Sequence, residues 1–311
     1  MKKQFISAVV GASLLVGSVI ATPAQVDAAG PDKITYSLSL EVLVNARKVK
    51  FPDAKPKMVN GSVLVPIRVV TEKLNGKVLS VEGKDIVLQK GDRTAKLSIG
   101  SKAATVNGKA ITLNAAPEVY NSRTYVPLRF ISEAFGEQVE WDSMNQFVWI
   151  GSKAVPKLED AIKPIDIKPF EHYYKNPYFL EDPFKPGQNY KTVRVITEDD
   201  FPLIISKDIY YRMDPAKRNG EEYIRSSTND KGVMGRPFLL LTSTQERFRD
   251  ELSGMRESVG DFRIHYNAIV SDTDLHADGI KDYANLMMKN IEYFEILADS
   301  DAKILFKNPW R

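Results

Sequence analysis

The chain contains 311 residues, with 43 basic and 40 acidic side chains and no cysteine. This near-neutral balance gives no electrostatic field that would attract nucleic acid, so we expect no nucleic-acid partner. Without cysteine the chain forms no disulfide bonds, and its stability has to come from packed cores or bound ligands.

Residues 1–28 have the features of a secretory signal peptide. A basic start precedes an apolar run over residues 5–20, and Val26-Asp27-Ala28 supplies a small-residue cleavage site. A retained membrane anchor is the alternative, but the run contains glycine and serine and lacks a basic flank after it. We therefore expect a secreted protein, extracellular or cell-wall associated, with no membrane span after signal cleavage. The remaining chain of about 280 residues indicates two domains.

A pattern that occurs twice organises residues 34–152. The stretch "RTYVPLRFISEAFGEQVEWD" at 123–142 matches "SVLVPIRVVTEKLNGKVLSV" at 62–81, as expected for a supersecondary unit used more than once. In each copy a β-prone run meets a proline, Pro66 or Pro127. Proline favours extended geometry before it and is tolerated in the first turn of a helix, so each strand is predicted to become a helix there.

Both predicted helices are short. Gly76 and Gly136 end them after about nine residues, too few for a helix to be stable in water unless its apolar stripe is buried. Short strands are predicted around the helices, and Asn107-Gly108 is the strongest hairpin signal among them. The sheet that these strands form provides the surface on which the apolar stripes can be buried. The fold class is therefore α+β: an antiparallel sheet curled around short helices, built from a duplicated strand-proline-helix-hairpin unit, followed by a second α+β domain.

Two features of the second copy allow a functional interpretation, and for each we favour a structural one. Arg129 and Glu133 are four residues apart on a helix and are interpreted as a weak surface ion pair rather than a catalytic pair. Trp141 and Trp149 could form a ligand platform, but their strand positions favour packing on the sheet.

The pattern "VNGK…L…AP…RTYVPLRFISEAFG…VEWD…V.I" closely resembles the copper amine oxidase N-terminal domain-like family, also called the stalk domain, over residues 34–152. This resemblance implies a non-catalytic extracellular module with an antiparallel sheet wrapped around a helix, of a kind found in secreted proteins of Gram-positive spore-forming bacteria. Ala46, where glycine is usual in the family, indicates that the first copy has diverged.

The resemblance does not imply an amine oxidase. The chemistry of that enzyme needs three histidine ligands and a self-processed tyrosine, which belong to a separate catalytic domain. This chain has only His172, His265 and His276, with no His-x-His pair, and its one Asn-Tyr dipeptide, Asn189-Tyr190, is followed by Lys191. We therefore expect no amine oxidase activity and no cofactor.

Residues 153–190 are interrupted by six prolines and are predicted to form a linker with stiff, extended stretches. They include the aromatic run "FEHYYKNPYFLEDPF". Such a run in an exported protein can stack on sugar rings, but we favour the interpretation that it fixes the linker against a neighbouring domain.

Residues 191–311 predict a second α+β domain of no recognised family. Runs such as "TVRVIT", "PFLLLTS" and "FRIHYNAIV" are typical of strands. Residues 243–259 and 279–298 are predicted to be helices, the second because its apolar residues recur at helical spacing.

We find no specific catalytic motif in this domain: it lacks Gly-x-Ser-x-Gly, His-Glu-x-x-His and a cysteine nucleophile. Glu198-Asp199-Asp200 and Glu221-Glu222 could supply paired carboxylates. Their turn-like settings favour solvated loop charge instead.

The stretch "SDTDLHADGIKD" has the spacing of a calcium loop. Its candidate ligands fall at the first, third, fifth and ninth loop positions: Asp274, His276, Asp278 and Asp282. The fit is poor, because histidine offers a nitrogen and Asn285 stands where a bidentate glutamate should close the shell. We favour the alternative that Asp278 caps a helix beginning near Gly279, and no metal site is predicted firmly.

These observations favour a secreted, non-enzymatic surface or extracellular-matrix protein. In this interpretation a stalk-type module presents a C-terminal domain that binds a cell-wall polymer or a surface protein. The alternative is a cell-wall-active hydrolase with its active site in residues 192–311.

Overall fold

The computed structural model describes residues 33–183, 185–230, 237–249, 256–276 and 279–311. The predicted signal peptide lies outside these residues. In the part of the chain that is described, no helix is both long enough and apolar enough to cross a membrane. The fold is α+β and consists mostly of antiparallel sheets, as the sequence predicts.

The first element in the described part of the chain is a two-residue strand, β1 (Thr35–Tyr36), and the N-terminal unit, residues 41–150, follows it. The strands and helices of this unit follow in chain order: β2 (Glu41–Val44), β3 (Arg47–Lys48), β4 (Lys57–Val59), β5 (Ser62–Pro66), α1 (Ile67–Lys73), β6 (Lys77–Glu82), β7 (Asp85–Lys90), β8 (Arg93–Ser98), β9 (Ala103–Val106), β10 (Lys109–Thr112), β11 (Glu118–Tyr120), β12 (Arg123–Pro127), α2 (Leu128–Ala134), β13 (Val139–Asp142) and β14 (Phe147–Ile150).

Three curled sheets surround the two helices of the N-terminal unit. Their strand orders are β10-β9-β8-β7-β6, β11-β12-β5-β4 and β13-β14-β2-β3. Each helix follows directly on the proline that ends a strand, Pro66 or Pro127, as predicted. The apolar side chains of both helices join one core with those of the sheets, which explains how helices of seven residues are stable.

The two helical segments interlock through a glycine and a phenylalanine. Phe135 is 3% exposed and follows α2, whereas Gly76 follows α1. A Cβ atom placed on Gly76 would lie 2.4 Å from Cε2 of Phe135. The ring therefore occupies the space that a side chain at residue 76 would need, and glycine is required there by close packing.

The C-terminal unit contains the rest of the described chain. Its regular elements are as follows: α3 (Leu158–Ala161), β15 (Ile165–Asp166), β16 (Thr192–Ile196), β17 (Leu203–Ile205), β18 (Asp208–Arg218), β19 (Glu221–Thr228), β20 (Phe238–Thr242), β21 (Glu246–Arg249), β22 (Arg256–Val259), β23 (Phe262–Ala268), α4 (Thr273–His276), β24 (Ile291–Ile296) and β25 (Lys303–Lys307). Short 3-10 turns occur at Lys168–Tyr173, Pro177–Leu180, Glu198–Asp200, Tyr283–Asn285 and Met288–Asn290.

Two six-stranded sheets pack face to face in this unit. The first has the order β1-β18-β19-β23-β22 with β17 beside β18, and the second has the order β15-β16-β25-β24-β20-β21. Met213 and Ile224 of the first sheet share a core with Leu240, Phe294 and other residues of the second. We call the second sheet the strap sheet, because residues 168–183 and 185–190 cross its outer face.

The prediction of two helices in this unit is wrong. The described part of 243–259 forms strands β21 and β22, and 279–298 forms two 3-10 turns followed by strand β24. The spacing of apolar residues in these short runs also fits half-buried strands, and pairing with neighbouring strands decided between the two conformations.

Much of the segment predicted as an extended linker packs on the C-terminal unit. Leu158 is fully buried in the sandwich core, and β15 pairs with β16. Tyr173 and Tyr174 are 6% exposed and pack on the outer face of the strap sheet. The prediction that the aromatic run fixes this segment against a domain is confirmed.

The N-terminal unit covers the outer face of the first sheet of the C-terminal unit, which contains β18, β19 and β23. Strand β1 precedes the N-terminal unit in the chain but pairs with β18 of the C-terminal unit. The guanidinium of Arg212 donates to both carboxylate oxygens of Asp214, at 2.7 and 2.8 Å, and to the carbonyl of Ser39 at 3.1 Å. Trp149 is 4% exposed in a cluster that includes Tyr211, so its predicted role in packing is confirmed.

Candidate functional site

The candidate site is a groove between the strap sheet and the segment that crosses it. This segment, residues 168–183 and 185–190, is called the strap. Its aromatic side chains pack against leucines and valines that alternate along β16, β20 and β25. Alternation places every second residue of these strands on the outer face, whereas their neighbours point into the sandwich core.

Carboxylates of the strap sheet hold the strap in place. Glu246 accepts hydrogen bonds from the backbone N–H groups of Lys175 and Asn176, each at 2.8 Å. The hydroxyl of Tyr174 donates to Glu295 at 2.6 Å, and that of Tyr173 donates to Glu292. Hydrogen bonds to charged acceptors are stronger than neutral ones, so the strap is a fixed wall of the groove.

The strap groove has a volume of about 700 Å³, within the range of small-molecule sites. Its walls are mainly aromatic rings, prolines and aliphatic side chains. The residues that line it are the following: Tyr178, Phe179, Glu181, Asp182, Pro183, Pro186, Tyr190, Pro237, Phe248, Glu295, Ile296, Leu297, Ala298, Ala302, Lys303 and Ile304.

A buried ion pair lies at the floor of the strap groove. Lys303 Nζ is 2.6 Å from Glu295 Oε1, and the two residues are 4% and 2% exposed. The ammonium also lies over the rings of Tyr174 and Tyr190, 4.7 and 5.0 Å from their centroids. Charge pairing and cation–π contacts thus compensate for removing both charges from water.

The tyrosine hydroxyls at the floor are held in their neutral form. Burial, together with the Glu295 carboxylate, raises the pKa of Tyr174 well above its usual range. Burial and the Asp182 carboxylate raise the pKa of Tyr190. Because a neutral hydroxyl donates a hydrogen bond, both tyrosines act as donors to carboxylates near neutral pH.

The arrangement favours binding over acid–base chemistry. Glu295 accepts from both Lys303 and Tyr174, and Asp182 pairs with Lys185 at 3.2 Å. A general base has to reach a proton of the substrate, whereas both oxygens of Glu295 already accept hydrogen bonds from side chains of the protein. The rings of the groove, by contrast, present flat apolar surface to a ligand.

Three of the four calcium-loop candidates, Asp274, His276 and Asp282, lie in the described part of the chain, and none of them lines this groove. Asp274 is fully buried, with carboxylate oxygens 2.6 and 2.7 Å from nitrogens of Arg249 and 3.0 Å from Arg247. His276 ends the four-residue helix α4, and Asp278 lies outside the described residues. The described residues contain no group of three or more histidine, aspartate and glutamate side chains placed to hold a metal ion.

The helix that Asp278 was expected to cap does not form in the described residues from Gly279 onward. The chain there makes a 3-10 turn at Tyr283–Asn285 before it reaches β24. The backbone N–H of Gly279 bonds to the carbonyl of Leu275, and that of Ile280 bonds to Asp274. The favoured alternative of helix capping is therefore wrong.

Both acidic clusters considered as carboxylate pairs have structural contacts. Asp199 forms an ion pair with Lys50 of the N-terminal unit at 2.7 Å, and Asp200 accepts from the backbone N–H of Thr197 at 2.7 Å. Glu222 accepts from the backbone N–H of Met288 at 2.6 Å. These carboxylates connect parts of the fold and lie outside the strap groove.

Sequence reasoning did not single out Lys303 or Glu295. The interpretation of 279–298 as a helix hid the alternation that places Tyr293 and Glu295 on one face of β24. Reading the run "IEYFEI" as a strand would have shown an acidic residue between apolar neighbours, which is unusual at a buried position.

Residues 43–150 match the model of the copper amine oxidase N-terminal domain family, and this part of the chain is a domain of that family. No curated protein matches the chain. The family domain is non-catalytic in copper amine oxidases. The matched range contains no histidine and no cysteine, so it does not offer the imidazole or thiolate ligands that copper prefers.

Proposed function

We propose that this chain is an exported, non-enzymatic surface protein whose family domain positions the C-terminal unit for binding. The ligand is a cell-wall polymer or a surface protein, and the strap groove is the binding site. The family domain, which is non-catalytic, accounts for the N-terminal part of this proposal. The apparent signal peptide is the basis for export.

The observation that carries the proposal is the chemistry of the strap groove. Its aromatic and proline side chains form an open apolar surface, while Glu295 at its floor is already neutralised by Lys303. Such a site binds a ligand through surface complementarity and a few polar groups. The family domain is joined to the C-terminal unit through Arg212, whose guanidinium donates to the carbonyl of Asn145, and through the packing of Trp149 with Tyr211.

The two strand-proline-helix segments of the family domain are proposed to be copies of one unit. Both helices have seven residues, follow a proline and are followed directly by a buried apolar residue, Leu74 or Phe135. The copies serve packing rather than binding in this proposal.

Incubation with purified Gram-positive peptidoglycan sacculi tests the function. The mature protein should sediment with the sacculi and leave their turbidity and reducing-sugar content unchanged. Loss of turbidity with release of reducing sugar would support the alternative, a cell-wall hydrolase with its active site in residues 192–311. Absence of both sedimentation and hydrolysis would exclude a cell-wall polymer as the ligand.

A further inference from the structure

We propose that the strap groove binds a short segment of a neutral glycan, held by stacking of sugar rings on its aromatic side chains. This inference rests on the proposed function and names the class of ligand for the same site.

The rim of the strap groove carries an aromatic ring with a free face. Tyr178 is 69% exposed, the largest exposed fraction among the large apolar and aromatic side chains exposed in the described chain. Its ring meets that of Phe179 edge to face at 5.9 Å, and Phe179 stacks on Phe248 at 6.5 Å with an angle of 17°. A fixed row of rings with one outward face is suited to a flat ligand with an apolar side.

The polar groups beside the rings match a ligand that carries hydroxyl groups. Glu181, Asp182 and Glu295 line the groove with Lys303 as the one lysine among the lining residues. A carboxylate has about four acceptor positions. The contacts of Glu295 with Lys303 and Tyr174 use one position on each oxygen, which leaves capacity for hydroxyl donors.

The same groups disfavour charged and purely aliphatic ligands. Lys303 pairs with Glu295 and Lys185 with Asp182, so the carboxylate of Glu181 leaves the groove with a net negative charge, which disfavours a polyanion such as a chain of phosphodiesters. A hydrocarbon chain would displace water from these carboxylates without replacing its hydrogen bonds, which costs free energy. A neutral sugar meets both conditions, because it has an apolar ring face and hydroxyl groups at its edges.

The backbone of the groove disfavours an extended peptide that adds as a strand. The floor is formed by β24 and β25, and each is paired on both sides within the order β16-β25-β24-β20. Strand addition needs a free edge, and the edges of this sheet are β15 and β21. A proline-rich peptide needs no edge and is therefore the competitor that an experiment has to separate.

The test uses isothermal titration calorimetry of the mature full-length protein with two neutral tetrasaccharides, chitotetraose and cellotetraose. Tyr178→Ala removes the exposed ring, and Tyr120→Ala is the matched control, since Tyr120 is 54% exposed on the family domain. At least one tetrasaccharide should bind, and Tyr178→Ala should weaken binding about tenfold, whereas Tyr120→Ala should leave it unchanged. Circular dichroism checks that both variants are folded.

Three results would overturn the inference, and they differ in whether the proposed function is also contradicted. If neither tetrasaccharide binds but the protein sediments with sacculi, the glycan is wrong and the proposed function stands. If a decaproline peptide binds and Tyr178→Ala abolishes this binding while tetrasaccharides give no heat, the groove is a peptide site. If neither the tetrasaccharides nor the sacculi bind, the inference and the cell-wall ligand both fail.

Discussion

The two units of this protein differ in what they bury. In residues 41–150 the buried polar side chains are Thr71, Ser132 and Asn145, and none of the buried side chains is charged. The described residues of the C-terminal unit bury many charged groups: Asp182, Arg194, Asp208, Arg212, Asp214, Arg225, Asp230, Glu246, Arg247, Arg249, Asp274, Glu295 and Lys303.

This difference shows two ways to stabilise a fold that has no disulfide bonds. The family domain depends on apolar packing, in which small changes of volume are costly. The C-terminal unit depends in addition on buried ion pairs, which are weak evidence of net stability but are strongly destabilising when one partner is lost. Alkaline pH and single substitutions should therefore affect the two units differently.

The largest difference in stability between the two units is expected at alkaline pH. All eight tyrosines whose pKa is raised lie in the strap or the two sheets of the C-terminal unit, and burial is the main cause for each. A raised pKa in the folded state contributes stability that is complete below the unfolded pKa, about 10, and is lost as the pH rises through the folded value. The C-terminal unit should therefore unfold first above about pH 10.

Proteolysis with subtilisin across this pH range, with fragments identified by mass spectrometry, measures which unit opens. Early cuts should map to residues 192–311. First cuts within residues 43–150 would contradict the assignment of alkaline sensitivity to the C-terminal unit.

Phe135→Ala should have the largest effect of a single substitution in the family domain. The ring is 3% exposed and fills the space beside Gly76, so its removal should cost about 3 to 5 kcal/mol of unfolding free energy in urea melts. Gly76→Ala, which introduces a clash with this ring, should cost less in the Phe135→Ala background than in the natural protein. Equal costs in both backgrounds would show that the two residues are not coupled.

Asp274→Asn should destabilise the C-terminal unit by about 3 kcal/mol. It leaves the guanidinium groups of Arg247 and Arg249 buried without their carboxylate, although the amide oxygen still accepts one hydrogen bond. Urea melts measure this effect, and Asp53→Asn is a matched control because its pair with Arg123 is exposed. A cost of under about 1 kcal/mol for Asp274→Asn would mean that this buried cluster does not hold the unit together.

Arg129→Ala should have the smallest effect, under about 1 kcal/mol. Its nitrogen is 3.9 Å from Glu133, and the side chains are 58% and 56% exposed, so solvent screens the pair. The same urea melts measure it beside Phe135→Ala. A larger loss for Arg129→Ala than for Phe135→Ala would reverse the assignment of stability to the apolar core.

Local sequence signals predicted the family domain well. Pro66 and Pro127 mark the strand-to-helix junctions for two reasons. Proline favours an extended conformation of the residue before it, and its missing N–H is tolerated at the start of a helix, where the N–H groups have no partner within the helix. The apolar spacing after each proline identified helices whose stripes are buried. In this domain the signals for an element lie within a few residues of it, and a single sequence contains them.

In the C-terminal unit, contacts between residues that are distant in the sequence determined the secondary structure. The stretch Glu246-Arg247-Phe248-Arg249 was predicted to be helical, yet it forms strand β21, whose two arginines pair with Asp274 at separations of 27 and 25 residues. The strap groove likewise combines residues 178–190 with Lys303 and Glu295. The sequence by itself determined the elements of the family domain, its family and the absence of disulfides. Only the tertiary structure decided which charged residues are buried and where the groove lies, because buried charge is stable only beside partners that the linear order does not show.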